Sequence, residues 1–134
     1  MALLKRLVAE RGLTVLMITH DMDVVAEVCD RATVLYAGLT VEEGPTDAVL
    51  ARPRHPYTQA LLGALPDAAG KGRKLAAIEG RTPPPQEEIR GCAFAARCPK
   101  ALPVCTSVAP PRREGDQRHW LCHLEEGADG RSDP

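Results

Sequence analysis

The sequence predicts an α/β unit followed by a small, irregular extension held together by metal. Three observations carry that expectation. Residues 14–19, TVLMIT, form a short apolar, β-branched run between two helix-patterned stretches, which suits a strand buried on both faces. The apolar residues are unevenly shared: residues 1–65 hold 20 of the 29 Leu, Ile, Val and Phe, and residues 66–134 hold 9. That later half falls below the roughly 20 % strong-apolar content at which a chain folds by burial alone. It also carries 4 of the 5 cysteines and 9 of the 12 prolines, so it must be disordered, docked or stapled. The chain therefore divides into an α/β part over 1–65, a linker over 66–90, a four-cysteine extension over 91–124 and a disordered tail over 125–134.

The elements follow in order. Residues 2–10 read as a helix, with Leu3, Leu4, Leu7 and Val8 at i, i+3, i+4 spacing and Gly12 as its stop. No Ser, Thr, Asp or Asn precedes it as a cap, which suggests a pattern entered midway and hence a truncated chain. After the strand at 14–19, Asp21 caps a helix over 22–29 with Val24, Val25 and Val28 inward. Residues 33–36 form the next strand, completing a βαβ-type crossover. Residues 40–42 form an edge strand that ends at Gly44-Pro45. Thr46 caps a helix through Leu50, and His55-Pro56-Tyr57 turns into a last amphipathic helix carrying Leu61, Leu62 and Leu65. Gly70, Gly72, Gly80 and three successive prolines mark the linker.

Composition excludes several function classes. The chain has 134 residues, 17 Lys+Arg against 18 Asp+Glu and a net charge of -1, no footprint for nucleic acid or an anionic membrane surface. No apolar run reaches the ~18 residues of a spanning helix, and the N-terminus lacks the apolar core of a secretory leader. These features predict a soluble, intracellular chain.

His20 stands just past the apolar run, where open α/β sheets bind ligands. A histidine there either hydrogen-bonds a phosphate oxygen and orients water, or simply precedes the next helix as a polar residue. Its surroundings favour the first alternative. VLMITHDMDVVAEVCDRATVLYAG followed by VEEGPTDAVL resembles the end of the nucleotide-binding domain of ABC transporter ATPases, a P-loop NTPase fold. His20, Asp21, Asp30-Arg31, Gly38, Glu42, Gly44 and Thr46 take the family's positions in register, while Leu39 and Thr40 depart from its usual basic and β-branched pair. The resemblance implies that His20 is the switch histidine, contacting the γ-phosphate of ATP·Mg²⁺ and the attacking water. No G-x-x-x-x-G-K-[ST] loop, Leu-Ser-Gly-Gly signature or acidic Mg²⁺-binding strand occurs in the chain, so this stretch alone is not expected to hydrolyse ATP.

Arg52-Pro53-Arg54-His55-Pro56-Tyr57-Thr58 resembles a junction in the ATPase subunits of oligopeptide and dipeptide importers, after which a cysteine-containing extension follows. Here the cysteines are Cys92, Cys98, Cys105 and Cys122, spaced C-x₅-C-x₆-C-x₁₆-C. Four thiols in a segment with little core form a metal site or two disulfides, and an intracellular chain argues against disulfides. The C-x₂-C knuckles usual for structural zinc are missing, whereas a [4Fe–4S] cluster tolerates irregular spacing. The resemblance implies the [4Fe–4S] cluster, with Zn²⁺ as the alternative and a structural role for either. Trp120 is expected to pack over the cluster, His119 and His123 to flank it, and Cys29 to be a small core residue.

Taken together, the resemblance implies the C-terminal part of the ATP-binding subunit of an ABC importer for oligopeptides, dipeptides or related solutes. It would sit peripherally on the cytoplasmic face of the bacterial inner membrane, with a second ABC ATPase subunit, two transmembrane permease subunits and an extracytoplasmic substrate-binding protein as partners. The alternative is a stand-alone, non-catalytic metal-binding or interaction module, or a gene remnant.

Overall fold

The computed structural model describes residues 2–65, 78–84 and 86–125. The expected linker lies partly outside these residues, and the expected tail lies outside them from 126 onward. Helix α1, Ala2–Arg11, ends at Gly12 with φ +61°, the left-handed stop its position predicts. Helix α2, Met22–Val28, is capped as expected: the Asp21 carboxylate accepts from the backbone N–H groups of Asp23 and Val24. It buries none of its residues, and Cys29 is its half-buried C-cap rather than part of a core face.

Residues 13–19 do not form the expected strand. Leu16 is 89 % exposed and Ile18 is 93 % exposed. A strand buried on both faces needs a hydrogen-bonded neighbour and covering helices; the described residues supply neither at this run, so no βαβ crossover forms.

The sheet is small and wholly antiparallel, built from β1 (Arg31–Tyr36), β2 (Leu39–Pro45), β3 (Arg112–Gly115) and β4 (Arg118–Leu121) in the order β1-β2-β4-β3. β2 is therefore interior, not an edge, because β4 from the cysteine-rich extension pairs with it through Glu42–Trp120 and Glu43–His119. Ala37 and Gly38, both at positive φ, make the tight turn between β1 and β2, and Asp116 and Gln117 do the same between β3 and β4. A register shift opposite Val34 and Leu35 leaves Val41 as an extra residue in β2. That bulge turns two adjacent side chains, Val41 and Glu42, into the interior.

Helix α3, Thr46–Ala51, lies against the sheet through Val49, and helix α4 spans Pro56–Gly63. Thr46 is the first residue of α3 rather than its cap; the N-cap is Pro45, and no side-chain cap bond forms. Short 3₁₀ turns at Ala95–Arg97 and Pro103–Thr106 shape the extension.

The extension is docked on the first half, one of the three outcomes its composition allows. Phe94 is buried with Tyr36, Val41 and Ala93, and its ring meets Tyr36 at 5.3 Å and Tyr57 at 5.4 Å between centroids. Such tilted aromatic contacts add roughly 0.5–1.5 kcal/mol each beyond the area they bury. Arg97 completes the seam by donating to the carbonyls of Ile78 and Glu79 and to the Tyr36 hydroxyl.

Candidate functional site

A fully buried carboxylate organises the junction between the two halves. Glu42 accepts the backbone N–H of Arg54 and of His55, each at 2.9 Å, one on each carboxylate oxygen. Arg118 of β4 places Nη1 at 3.9 Å from the same carboxylate. That nitrogen also donates to the Ala48 and Arg52 carbonyls, at 2.6 and 2.8 Å, which closes the C-terminal end of α3. Burial pulls the Arg118 guanidinium below its ordinary value, and the Glu42 charge opposes that shift. Gly44 makes room for this arginine, since a Cβ there would fall 2.4 Å from Arg118 Cγ. Sequence reasoning singled out neither Arg118 nor the clamp. A Glu beside a Val in a strand reads as the outward member of an alternating pair, and the bulge reverses that.

The segment that Glu42 grips begins α4. His55 is its N-cap: Nδ1 accepts the Tyr57 N–H at 3.0 Å, and Pro56 sits at the first helical position, where it lacks no needed donor. Only 1 % of His55 is exposed, and burial holds its pKa at about 4, against a partial opposing effect of a hydrogen bond to the Leu121 carbonyl. Nδ1 is an acceptor, so the ring is neutral and carries its proton on Nε2.

His55 and Pro56 form one wall of a small, partly open cavity, and Cys92, Cys98, Cys105 and Cys122 line the rest together with Phe94 and His123. The structure thus gathers four cysteines that are up to 30 positions apart in sequence, all as free thiols. Backbone N–H groups face their sulfurs. Cys105 accepts from Leu102 at 3.4 Å, and backbone N–H groups beside Cys92, Cys98 and Cys122 favour their thiolate forms. Burial, the largest effect, pushes the Cys92, Cys98 and Cys122 thiols up, and the neighbouring cysteines add to it. The amides pull the other way, as does Arg113 at Cys122. Such amide–sulfur contacts are what thiolate ligands of a metal need to spread their charge.

Close backbone contact fixes the cavity floor. Cys92 N–H donates to the Cys105 carbonyl at 2.7 Å, and Gly91 permits it, because a Cβ there would lie 2.2 Å from that carbonyl oxygen. Arg113 holds the far side, donating to the Cys122 and His123 carbonyls at 2.9 and 3.0 Å.

Among the described residues, no three His, Cys, Asp or Glu side chains are grouped closely enough to hold a single metal ion. Trp120 does not cover the cavity as expected; it pairs across from Glu42 and carries the Arg54 guanidinium over its ring at 5.5 Å. His119 turns to Glu43 at 3.4 Å, while His123 lines the cavity with Nε2 at 2.9 Å from the Val108 carbonyl. His20 stands apart from this cavity: it is exposed, at the end of residues 13–19 and directly before the Asp21 cap.

Residues 41–105 match the C-terminal region of the oligopeptide/dipeptide transporter family. The chain is 39 % identical over 130 residues to the oligopeptide transport ATP-binding protein AppD of Bacillus subtilis, covering 95 % of this chain and 40 % of that protein. It is 45 % identical over 122 residues to a protein of Brucella abortus named for peptide import and ATP binding, covering 91 % of this chain and 36 % of the relative. The chain thus spans between a third and two fifths of the length of these relatives. Among the described residues no helix is long and apolar enough to cross a membrane.

Proposed function

We propose that this chain, whose residues 41–105 match the C-terminal region of the oligopeptide/dipeptide transporter family, serves as the C-terminal part of an ATP-binding subunit of an ABC importer for oligopeptides or related solutes. The observation that carries the reading is collinearity: relatives named for peptide import and ATP binding align with 91–95 % of this chain, across both its halves. The exposed apolar run at 13–19 supports it, since such a run is suited to an inner parallel strand. The subunit sits peripherally on the cytoplasmic face of the membrane and works with a second ATPase subunit, two permease subunits and an extracytoplasmic substrate-binding protein.

In that setting His20 is the residue of this chain that acts on ATP·Mg²⁺. Placed past the end of the strand, its imidazole donates a hydrogen bond to the γ-phosphate and orients the attacking water. The experiment replaces the C-terminal part of the Bacillus relative with this chain and measures nucleotide binding and ATP hydrolysis, with and without His20→Ala. Hydrolysis in the chimera that falls at least a hundredfold in His20→Ala, with binding retained, supports the reading. Unchanged hydrolysis removes His20 from the mechanism.

The four cysteines form the second part of the proposal. They serve as one ligand set for a [4Fe–4S] cluster, in which each cysteine holds a different iron and no three sulfurs need to meet at one ion. What supports this reading is that the four thiols line one shared cavity. Zn²⁺, whose ligands close on one centre at about 2.3 Å, is the alternative. When bound, the cluster supplies a four-point cross-link that adds folding energy to a segment poor in apolar residues. Gly91, Arg113 and the amides hold the thiols in place.

A further inference from the structure

Cys92 and Cys105 are the two cysteines that the backbone itself brings together. The Cys92 N–H donates to the Cys105 carbonyl at 2.7 Å. By standard bond lengths and angles, such a contact keeps the two Cα atoms within about 6.6 Å of each other. Disulfides span roughly 4.4–6.8 Å between Cα atoms. Both residues line the same cavity, and both are free thiols. Gly91 permits the approach, since a Cβ there would strike the Cys105 carbonyl. Cys105 is held within its own turn by the Leu102 N–H, which meets its sulfur at 3.4 Å. Among the described residues no backbone hydrogen bond joins Cys98 or Cys122 to another cysteine. The Cys98 N–H and carbonyl turn to Ala95 and Ala101, and the Cys122 N–H turns to Pro111.

We infer that Cys92 and Cys105 form a reversible disulfide when the chain holds no metal, with a small-molecule disulfide such as oxidised glutathione as the two-electron oxidant. Cys92 is half-buried, whereas Cys105 is only 8 % exposed, so Cys92 is the thiol that the oxidant reaches first. Its sulfur bonds to one glutathione sulfur as the glutathione S–S bond breaks, and one reduced glutathione leaves with the Cys92 proton. The Cys105 sulfur then attacks the Cys92 sulfur, and the second glutathione leaves with the Cys105 proton. Two thiols are oxidised and one glutathione disulfide is reduced. The bridge closes a loop that contains Phe94, buried against Tyr36, and Arg97, which donates to the Ile78 and Glu79 carbonyls. It therefore staples the docked segment of the extension in the absence of metal. While the bridge stands, two of the four ligands are withdrawn, so bridge and metal exclude each other; that consequence alone rests on reading the four cysteines as one ligand set.

The test treats the reduced chain, freed of metal by chelation, with oxidised glutathione and maps the products by mass spectrometry of a non-reducing tryptic digest. Cleavage after Arg90, Arg97, Lys100, Arg112 and Arg118 puts each of the four cysteines in a different peptide. The expected main product joins Cys92 to Cys105 and disappears with dithiothreitol. In urea, where short loops close most readily, Cys92–Cys98 and Cys98–Cys105 are expected to take over. Gly91→Ala is expected to lower the folded yield of the Cys92–Cys105 pair about fivefold, the factor carried by one net hydrogen bond. A folded wild type that joins either cysteine mainly to Cys98 or Cys122, stops at the glutathione adduct, or gives the same mixture as in urea overturns the inference. The bridged chain is expected to take up no iron or sulfide until dithiothreitol is added, and uptake equal to that of the reduced chain overturns the exclusion. The pairing is read without metal, so a reduced chain that takes up neither iron nor sulfide would overturn the cluster reading alone.

Discussion

Removing the Glu42 charge should cost the fold several kcal/mol, and the cost should depend on Arg118. Glu42 is 0 % exposed and Arg118 is 4 % exposed, with Nη1 and Oε1 3.9 Å apart. At an effective dielectric of ~20 that separation corresponds to about 4 kcal/mol of attraction. Breaking a buried pair by removing one partner costs about 3–5 kcal/mol, because the remaining charge stays buried. Glu42→Gln also turns an amide N–H₂ toward one of two N–H donors, those of Arg54 and His55. Arg118→Met removes a donor from the Ala48 and Arg52 carbonyls, and Ala48 keeps the Arg52 N–H. Urea unfolding followed by circular dichroism gives the four stabilities of a double-mutant cycle. Each single variant is predicted to lose about 3 kcal/mol or more. The double variant should lose about 2 kcal/mol less than the sum, within the range seen for residues in contact. Additivity to within about 0.5 kcal/mol would refute the claim that these two groups form one clamp.

Two further predictions follow from the same seam. Gly91→Ala drives a Cβ into the Cys105 carbonyl and should break the Cys92–Cys105 bond, lowering stability by about 1–3 kcal/mol and speeding alkylation of both cysteines; a wild-type melting temperature and labelling rate would contradict it. His55 has a folded pKa of about 4 against 6.5 when unfolded, so the unfolded state binds more protons between those values and stability falls as pH drops through that window. The histidine contributes about 2 kcal/mol of destabilisation at pH 5 and about 3 kcal/mol at pH 4, nothing above pH 7, and His55→Asn should flatten that part of the profile.

Local signals were legible in the sequence because their causes are local. Asp21 caps α2 two and three residues ahead, Gly12 stops α1, and the Ala37-Gly38 pair makes the β1–β2 turn. The His55-Pro56 start of α4 was legible for the same reason. What failed depends on partners far along the chain. A run such as 14–19 states that it can be buried in a sheet but not which strands flank it, and no described strand does. β2 read as an edge because β4, more than 70 positions later, carries no mark of its pairing. The four cysteines were identifiable by type and segment, and the structure brings them to one cavity. The wall that His55 provides was invisible, since nothing in a helix-capping histidine reveals which distant residues pack beside it.

The central claim, that the four cysteines act as one ligand set beside the His55 turn, is tested most directly by iron, acid-labile sulfide and zinc analysis of the chain purified without oxygen, alongside Cys98→Ser. The account predicts about four iron and four sulfide per chain, with most of both lost in Cys98→Ser. A chain that carries neither iron nor sulfide, or a Cys98→Ser variant with the full wild-type content, would contradict it.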